Sequence, residues 1–175
     1  YFNARYFHLA PRYYDKNKGI LTSIRTHGRA NKLVQLDPGI WYMRERNEKS
    51  LAQLLKDVDI LLPSEAEVGA AYGENRLEEG IVRLAELGPH TIVTKLGAKG
   101  CIIYTRDTGQ FRLVSSYPAR CVDPTGAGDS FCGGFLGGLK LGKGMLMAAL
   151  YGTVSASFTI EDFGAFHVLR HTREE

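Results

Sequence analysis

The sequence predicts an α/β protein in which one mostly parallel β-sheet is flanked by helices in three layers. Short apolar segments of strand character alternate with longer segments of helical periodicity, which is typical of this class. Two further strand-like segments surround a glycine-containing turn, which indicates a hairpin and therefore an antiparallel edge. Because the 175 residues show no internal repeat, low-complexity tract or linker, we expect one domain over residues 1–175.

The individual elements follow from apolar spacing and from the residues that end each segment. In chain order we predict strand 6–10, helix 15–27, strand 33–36, helix 47–58, strand 59–62, helix 64–72, helix 77–87, strands 91–96, 101–106 and 111–117, and helices 127–141 and 145–159. Helix 15–27 is predicted from Ile20, Leu21 and Ile24, which share one face. Turn and breaker residues bound the early elements, at Pro11, Asp37-Pro38-Gly39, Pro63 and Gly88-Pro89.

Composition excludes several classes of partner and location. The net charge is only +3 and no Lys/Arg block is dense, so we expect no nucleic-acid partner. The sequence shows neither a signal peptide nor an apolar run of membrane-spanning length, so we expect no membrane partner. Three cysteines without metal-ligand spacing favour reduced thiols in a cytoplasmic protein. The chain begins at Tyr1 inside strand-like sequence, so we expect a segment before it in the intact protein.

The segment from Asp123 to Phe131 carries the clearest chemical signal. It packs small residues into a turn that opens a glycine-rich helix, and a helix N-terminus presents unpaired N–H groups to anions. Gly126, Ala127 and Gly128 would let a phosphate approach those groups, and Asp129 could accept a proton from an attacking hydroxyl. No further glycine completes a dinucleotide fingerprint, and no Gly-Lys-Ser/Thr follows to make a Walker-type loop.

The helix behind this segment contains four glycines, each of which costs roughly 0.8–1 kcal/mol relative to alanine in a helix interior. They are Gly133, Gly134, Gly137 and Gly138. Such a cost predicts that the helix is pressed against another backbone, either to fix a site at its N-terminus or for core packing alone.

The segment Asp123-Pro124-Thr125-Gly126-Ala127-Gly128-Asp129-Ser130-Phe131, with the glycines behind it, resembles the C-terminal signature of the ribokinase-like (PfkB-type) carbohydrate kinases. That family is ATP-dependent and phosphorylates a hydroxymethyl group of a sugar or nucleoside. The resemblance implies that Asp129 is the general base, that Gly126, Ala127 and Gly128 form the anion hole, and that Asp123 lies near a monovalent cation such as K⁺.

Other segments agree with the resemblance in order. Asp37-Pro38 resembles an Asp-Pro that follows a family sheet strand, and Ser64-Glu65-Ala66-Glu67 resembles an Asn-x-x-Glu element near Mg²⁺ and the phosphates. Glu67 keeps the acid, although Ser-x-x-Glu is also a helix capping box, and both roles can coexist. The residues that the resemblance places on the nucleotide are Lys95, Gly97, Gly100, Thr125, Gly152, Thr153 and Ala156. Lys95 stands where threonine is common, so it either meets phosphate or lies on a solvent face.

The resemblance covers residues 5–168 but only the second half of a family member, and the N-terminal half and its β-sheet lid are absent. It implies a ribokinase-like fold, an ATP- and Mg²⁺-dependent kinase and a sugar acceptor, with a homodimer for the intact protein because the family often dimerises through the lid. Two alternatives stay open. The acceptor could be a nucleoside, or the chain could be a non-catalytic nucleotide-binding relative. The second alternative is suggested by Ser64, Lys95 and Thr153, which stand where the family commonly has Asn, Thr and Asn.

Overall fold

The computed structural model describes residues 3–11, 13–27, 31–45 and 47–166. Six strands form one sheet in sequence order: β1 (Tyr6–Leu9), β2 (Leu33–Leu36), β3 (Ile60–Leu61), β4 (Thr91–Lys95), β5 (Cys101–Thr105) and β6 (Gln110–Val114). The helices are α1 (Tyr14–His27), α2 (Ile40–Glu45), α3 (Glu48–Leu55), α4 (Glu65–Tyr72), α5 (Leu77–Glu86), α6 (Ala127–Lys140) and α7 (Met145–Thr159).

The sheet is mostly parallel, as predicted. β1 pairs with β2, β2 with β3 and β3 with β4, each in parallel, with helices in the connections. Only a few residues join β4 to β5 and β5 to β6, and connections this short join antiparallel strands. The hairpin edge and the α/β class predicted from the sequence are therefore confirmed.

The described residues fall into two compact units. The first covers Tyr1–Leu96 and Ile102–Arg112, and the second covers Gly97–Cys101 and Leu113–Glu175. The first unit contains β1 to β4 with α1 to α5 and one apolar core. Its core includes Val34 and Leu36 of β2, with the leucines of α3 against them. Burial of these apolar side chains stabilises the unit, by roughly 25 cal/mol for each Å² of apolar surface removed from water.

The predicted apolar face of α1 is confirmed at two of its three positions. Leu21 and Ile24 are buried as predicted, but Ile20 is 40% exposed. Asn17 takes the third inward position, since it lies four residues before Leu21, and its side-chain amide donates to the carbonyl oxygen of Ala10 at 3.4 Å. A polar residue at a buried helical position does not register as part of an apolar stripe.

One additional helix and several element ends also differ from the prediction. Helix α2 was not predicted, because its six residues follow directly on the turn at residues 37–39 and give too few turns for a periodic pattern. Its Tyr42 and Met43 are nevertheless buried in the core. Strand β6 ends at Val114, and the following residues 115–120 have no regular structure.

Candidate active site

The predicted phosphate motif forms the start of α6. Gly126 directly precedes the helix and has a φ of +82°, a left-handed conformation that favours glycine. A Cβ atom at Gly126 would also lie 2.5 Å from the Cβ atom of Ala165. Both the backbone conformation and the packing therefore require glycine at this position.

The backbone N–H groups of this turn are the candidate donors to an anion. The N–H of Ala127 already donates to the carbonyl oxygen of Pro124, at 3.2 Å. The N–H groups of Gly126 and Gly128 have no acceptor within the part of the chain that the structure describes. The free donors at the positive end of α6 thus include the N–H groups of the two glycines on either side of Ala127.

Asp129 lies in the first turn of α6 and is exposed. Among the described residues, none donates a hydrogen bond to its carboxylate or forms an ion pair with it. An unpartnered carboxylate within one turn of free N–H donors can accept a proton from a hydroxyl held beside it. The acid and the donors predicted from the motif therefore lie together at one helix start.

Asp123 fastens this motif to the segment that follows α7. Its Oδ1 accepts from the N–H of Thr125 at 2.9 Å, and its Oδ2 accepts from the N–H of Gly164 at 3.0 Å. The N–H of Asp123 itself donates to the carbonyl oxygen of Ile160. The Thr125 hydroxyl, the Gly164 N–H and the Thr125 N–H together lower the pKa of Asp123. Each carboxylate oxygen thus already has a donor within the protein.

Helices α6 and α7 pack closely enough to account for two of the four helix glycines. A Cβ atom at Gly134 would lie 2.6 Å from the carbonyl oxygen of Tyr151, and one at Gly138 would lie 2.8 Å from the Cα atom of Ala148. These two positions confirm the predicted close approach of backbones. A Cβ atom at Gly133 or Gly137 would meet nothing within 4 Å.

Hydroxyl groups join the same two helices near the motif. The Thr159 hydroxyl donates to the Ser130 hydroxyl at 2.7 Å, and the Ser130 hydroxyl donates to the carbonyl oxygen of Ser155 at 3.1 Å. Ser130 follows Asp129 directly. These bonds fix the first turn of α6 against the last turns of α7, and so hold the Asp129 backbone in place.

A cavity of about 440 Å³ lies in the second unit between α7 and the segment after β6. Its lining residues are Leu113, Val114, Ser115, Ser116, Tyr117, Pro118, Leu146, Leu150, Thr153 and Val154. Of the residues predicted to contact the nucleotide, Thr153 lines this cavity. Gly152 instead faces α6, since a Cβ atom there would lie 2.9 Å from the Phe131 ring.

The glycine turn between β4 and β5 adjoins the same segment. Residues Gly97–Lys99 form one turn of 3₁₀ helix, and the Ser116 hydroxyl donates to the carbonyl oxygen of Ala98 at 2.6 Å. A Cβ atom at Gly100 would lie 2.0 Å from the carbonyl oxygen of Val114, so glycine permits this contact. The turn therefore braces the backbone that lines the cavity.

In the first unit, charged residues gather at the carboxyl ends of three neighbouring parallel strands. Asp37 follows β2, Glu67 lies in the first turn of α4 after β3, and Lys95 ends β4. The Lys95 Nζ atom lies 2.5 Å from Oδ2 of Asp37, and the two side chains are 14% and 8% exposed. Lys95 therefore does not lie on a solvent face. Ligands of open α/β sheets bind outside this edge.

Glu67 forms the capping box that its sequence allows. The Ser64 N–H donates to Oε2 of Glu67 at 2.8 Å, and the Glu67 N–H donates to the Ser64 hydroxyl at 3.2 Å. Burial raises the pKa of Glu67; the hydrogen bond from Ser64 lowers it, and the neighbouring Asp37 carboxylate raises it further. The side chain is thus a cap and also a buried acid beside a second carboxylate.

Sequence reasoning missed the Asp37–Lys95 ion pair. Asp37 was considered as part of a turn and of the Asp-Pro element, and Lys95 either for contact with phosphate or as a residue on a solvent face. The available signal was positional, because a residue that ends one parallel strand lies near the end of the next strand but one. Their separation of 58 residues in the chain gives no local pattern.

A second cavity, missed by the sequence analysis, lies in the first unit at the carboxyl ends of β1 and β2. Its volume is about 530 Å³, and it is lined by Pro11, Tyr13, Lys16, Pro38, Gly39, Ile40, Trp41 and Tyr42. The exposed Tyr13 ring has the Lys16 ammonium 5.7 Å from its centre. No sequence motif marks this cavity, since its residues come from two separate strand ends.

Within the described ranges, no helix is both long and apolar enough to cross a membrane. In the same ranges, no group of three or more His, Cys, Asp or Glu side chains is placed to hold a metal ion. Mg²⁺ in kinases is commonly held by one or two carboxylates together with the phosphates of the nucleotide. Buried Glu67 beside Asp37 fits that smaller donor set.

Comparison with known proteins finds related kinases. An uncharacterized sugar kinase of Archaeoglobus fulgidus is 35% identical over 134 residues, which is 75% of this chain and 51% of that protein. The crystal structure of Methanocaldococcus jannaschii nucleoside kinase matches with a TM-score of 0.77 at 26% identity, over 95% of this chain and 53% of that one. Arabidopsis thaliana ribokinase complexed with ribose and ATP matches with a TM-score of 0.77 at 25% identity, over 93% and 51%.

The chain spans about half the length of the curated relatives it matches. A model of the pfkB family of carbohydrate kinases matches residues 18–171. The match includes the helix start with Asp129, the capped Glu67 and the helix α7. On this match, together with the ribokinase-like fold and the arrangement at the start of α6, the chain belongs to the pfkB family of carbohydrate kinases.

Proposed function

We propose that this chain carries the ATP-binding and catalytic part of a kinase that phosphorylates a hydroxyl group of a sugar or related small molecule. The observation that supports this most is the start of α6, where free N–H groups of two glycines lie within one helical turn of the unpartnered carboxylate of Asp129. We also propose that residues 1–175 belong to one kinase domain.

The reaction follows from those groups. Asp129 accepts the proton of the acceptor hydroxyl as its oxygen forms a bond to the γ-phosphorus of ATP, and the bond to the bridging oxygen of ADP breaks. Negative charge develops on the oxygens in this step. The N–H groups of Gly126 and Gly128, at the positive end of α6, stabilise that charge without having to reorganise.

The cavity lined by Thr153 is the proposed place of the nucleotide base. It combines leucine side chains with one buried hydroxyl, as small-molecule sites commonly combine apolar walls with few polar groups. We propose that Thr125, Gly97 and Gly100 lie along the nucleotide. We propose that Gly152 and Ala156 act indirectly, by positioning α7 beside the nucleotide.

Glu67 would hold Mg²⁺, largely through water, and Mg²⁺ is the ion that neutralises phosphate charge in kinases. Lys95 adds a positive charge at the same strand ends, although it is paired with Asp37 here. Asp123 remains the candidate neighbour of a K⁺ ion. Both of its oxygens accept N–H bonds, so a cation there would have to use the remaining lone pairs.

The acceptor class is open between sugars and nucleosides, and both kinds of kinase occur among the relatives. A screen for ADP release with the intact protein, across sugars and nucleosides, identifies the acceptor. Release that depends on one compound and disappears in Asp129→Asn supports the proposal. Glu161→Gln, an exposed acid after α7, is the matched control and should retain turnover.

A non-catalytic nucleotide-binding role is the second candidate. It is favoured by the capping box, which commits both Ser64 and Glu67 to the end of α4. ATP binding with no product across the whole acceptor panel would support this role. Free Asp129 argues against it, because a binding module has no use for an acid beside its phosphate site.

The three cysteines form no disulfide, and we propose a reducing cytoplasmic location on that basis. We also propose that the intact protein forms a homodimer, as implied by the family resemblance.

A further inference from the structure

The cavity beside α7 has few polar side chains for a site that would distinguish one nucleotide base from another. All three leucines of its lining are partly or largely exposed: Leu113 (65%), Leu146 (46%) and Leu150 (39%). Its lining contains no carboxylate, amide or cationic side chain. Apolar surfaces gathered around one cavity mark a binding site rather than scattered surface residues.

The polar side chains in the lining are hydroxyls, and two of them are already committed as donors. The Thr153 hydroxyl donates to the carbonyl oxygen of Leu150 at 2.9 Å, and the Ser116 hydroxyl donates to that of Ala98 at 2.6 Å. Ser115 and Tyr117 carry the other hydroxyls, which can rotate to donate or to accept. Such hydroxyls can accept from the 6-amino group of adenine and can equally donate to the 6-oxo group of guanine.

We infer that this kinase does not select its phosphoryl donor by the purine base, so that ATP and GTP bind and react with similar efficiency. This inference rests on the proposed function. Discrimination by orders of magnitude arises where buried polar groups are left unpaired by the wrong ligand. This cavity instead offers the base apolar contact and the ring of Tyr117 for stacking, and every base has a π-face and a similar apolar area for such contact.

The test is calorimetric binding of Mg²⁺–ATP and Mg²⁺–GTP to the intact protein, with kcat/KM for each nucleotide once the acceptor is known. We expect dissociation constants within about tenfold of each other. Binding of ATP with GTP weaker by more than tenfold overturns the inference and leaves the kinase assignment intact. Binding of neither nucleotide contradicts the proposed function itself.

Substitutions on α7 test whether the base lies in this cavity. Leu150→Asp, which puts a charge into the apolar wall, should weaken both nucleotides in parallel by tenfold or more, and Leu146→Asp should act in the same way. Met147→Asp is the matched control, because Met147 is 46% exposed on the same helix but does not line the cavity. Unchanged affinities in both leucine variants, with unfolding temperatures near wild type, would place the base elsewhere and remove the inference.

Discussion

At the residue scale, Glu67 combines a structural and a chemical role that one substitution can separate. Its carboxylate closes the capping box with Ser64, and it is buried beside Asp37. A glutamine at this position can still accept from the Ser64 N–H, since Glu and Gln both occur in capping boxes. It cannot supply negative charge to Mg²⁺.

We therefore predict that Glu67→Gln lowers kcat while leaving the unfolding temperature unchanged or higher at pH 7. The pKa of Glu67 is raised in the folded protein, so its charged form disfavours folding above its ordinary pKa, and this cost disappears in glutamine. Thermal unfolding and steady-state kinetics measure the two effects. Glu67→Ala, which also loses the cap, should unfold at a lower temperature. Full activity of Glu67→Gln would show that the residue is a cap alone.

Asp123 gives a pH-dependent prediction of opposite sign. Its pKa is lowered in the folded protein, so its contribution to stability is present above the ordinary aspartate pKa of about 3.9 and is lost as the pH falls through the lowered value. Asp123→Asn keeps one acceptor but places an amide donor opposite one of the two N–H groups. We expect a lower unfolding temperature at pH 7.

The gap between wild type and Asp123→Asn should narrow as the pH is taken below about 4. Asp162→Asn is the control for loss of a nearby acid. The Asp162 side chain also accepts a backbone N–H bond, but from the next residue, Phe163, so it does not join distant segments as Asp123 does. A gap of constant size from pH 7 to pH 3 would contradict the role given to the Asp123 carboxylate.

At the scale of elements, α6 and α7 offer a paired test in their glycines. Gly134 faces the Tyr151 carbonyl, and an added methyl group there would overlap backbone. Overpacking of this kind typically costs 1–3 kcal/mol. Gly137 lies on the same helix with nothing within 4 Å, so alanine there gains helix propensity without a clash.

We predict that Gly134→Ala destabilises the protein by about 1–3 kcal/mol and that Gly137→Ala stabilises it by up to about 1 kcal/mol. Denaturant unfolding measures both changes. Since α7 fixes the first turn of α6, Gly134→Ala should also lower kcat by moving Asp129. Equal effects of the two alanines on stability would show that the two helices are not held as closely as described.

At the scale of the whole molecule, the features that could be predicted from the sequence are those that depend on residues close together in the chain. The order of the strands and of every helix except α2, the hairpin edge, the glycine turn at Gly126 and the capping box at Glu67 all depend on residues close together in the chain. The motif at Asp123–Asp129 belongs to the same class. The residues that begin the helix, those whose N–H groups can donate to an anion and the acid Asp129 follow one another in the chain.

The features that could not be predicted depend on residues far apart in the chain. Asp37 and Lys95 meet because β2, β3 and β4 lie side by side, and the cavity beside α7 exists because the segment after β6 lies along that helix. Asn17 points inward because its side chain bonds to the carbonyl oxygen of Ala10. Since Asn17 is polar, the apolar pattern of the sequence does not show that it is buried. Tertiary contacts decide such positions, so periodicity alone cannot.

The central claim is that phosphoryl transfer takes place at the start of α6 with Asp129 as the base. The most direct test measures kcat and the ATP dissociation constant of Asp129→Asn in the intact protein, beside Glu161→Gln. A positioned base contributes roughly 10²–10⁴-fold. The account predicts a loss of kcat of at least that order with ATP affinity changed by less than about threefold, whereas turnover of Asp129→Asn within tenfold of wild type would contradict it.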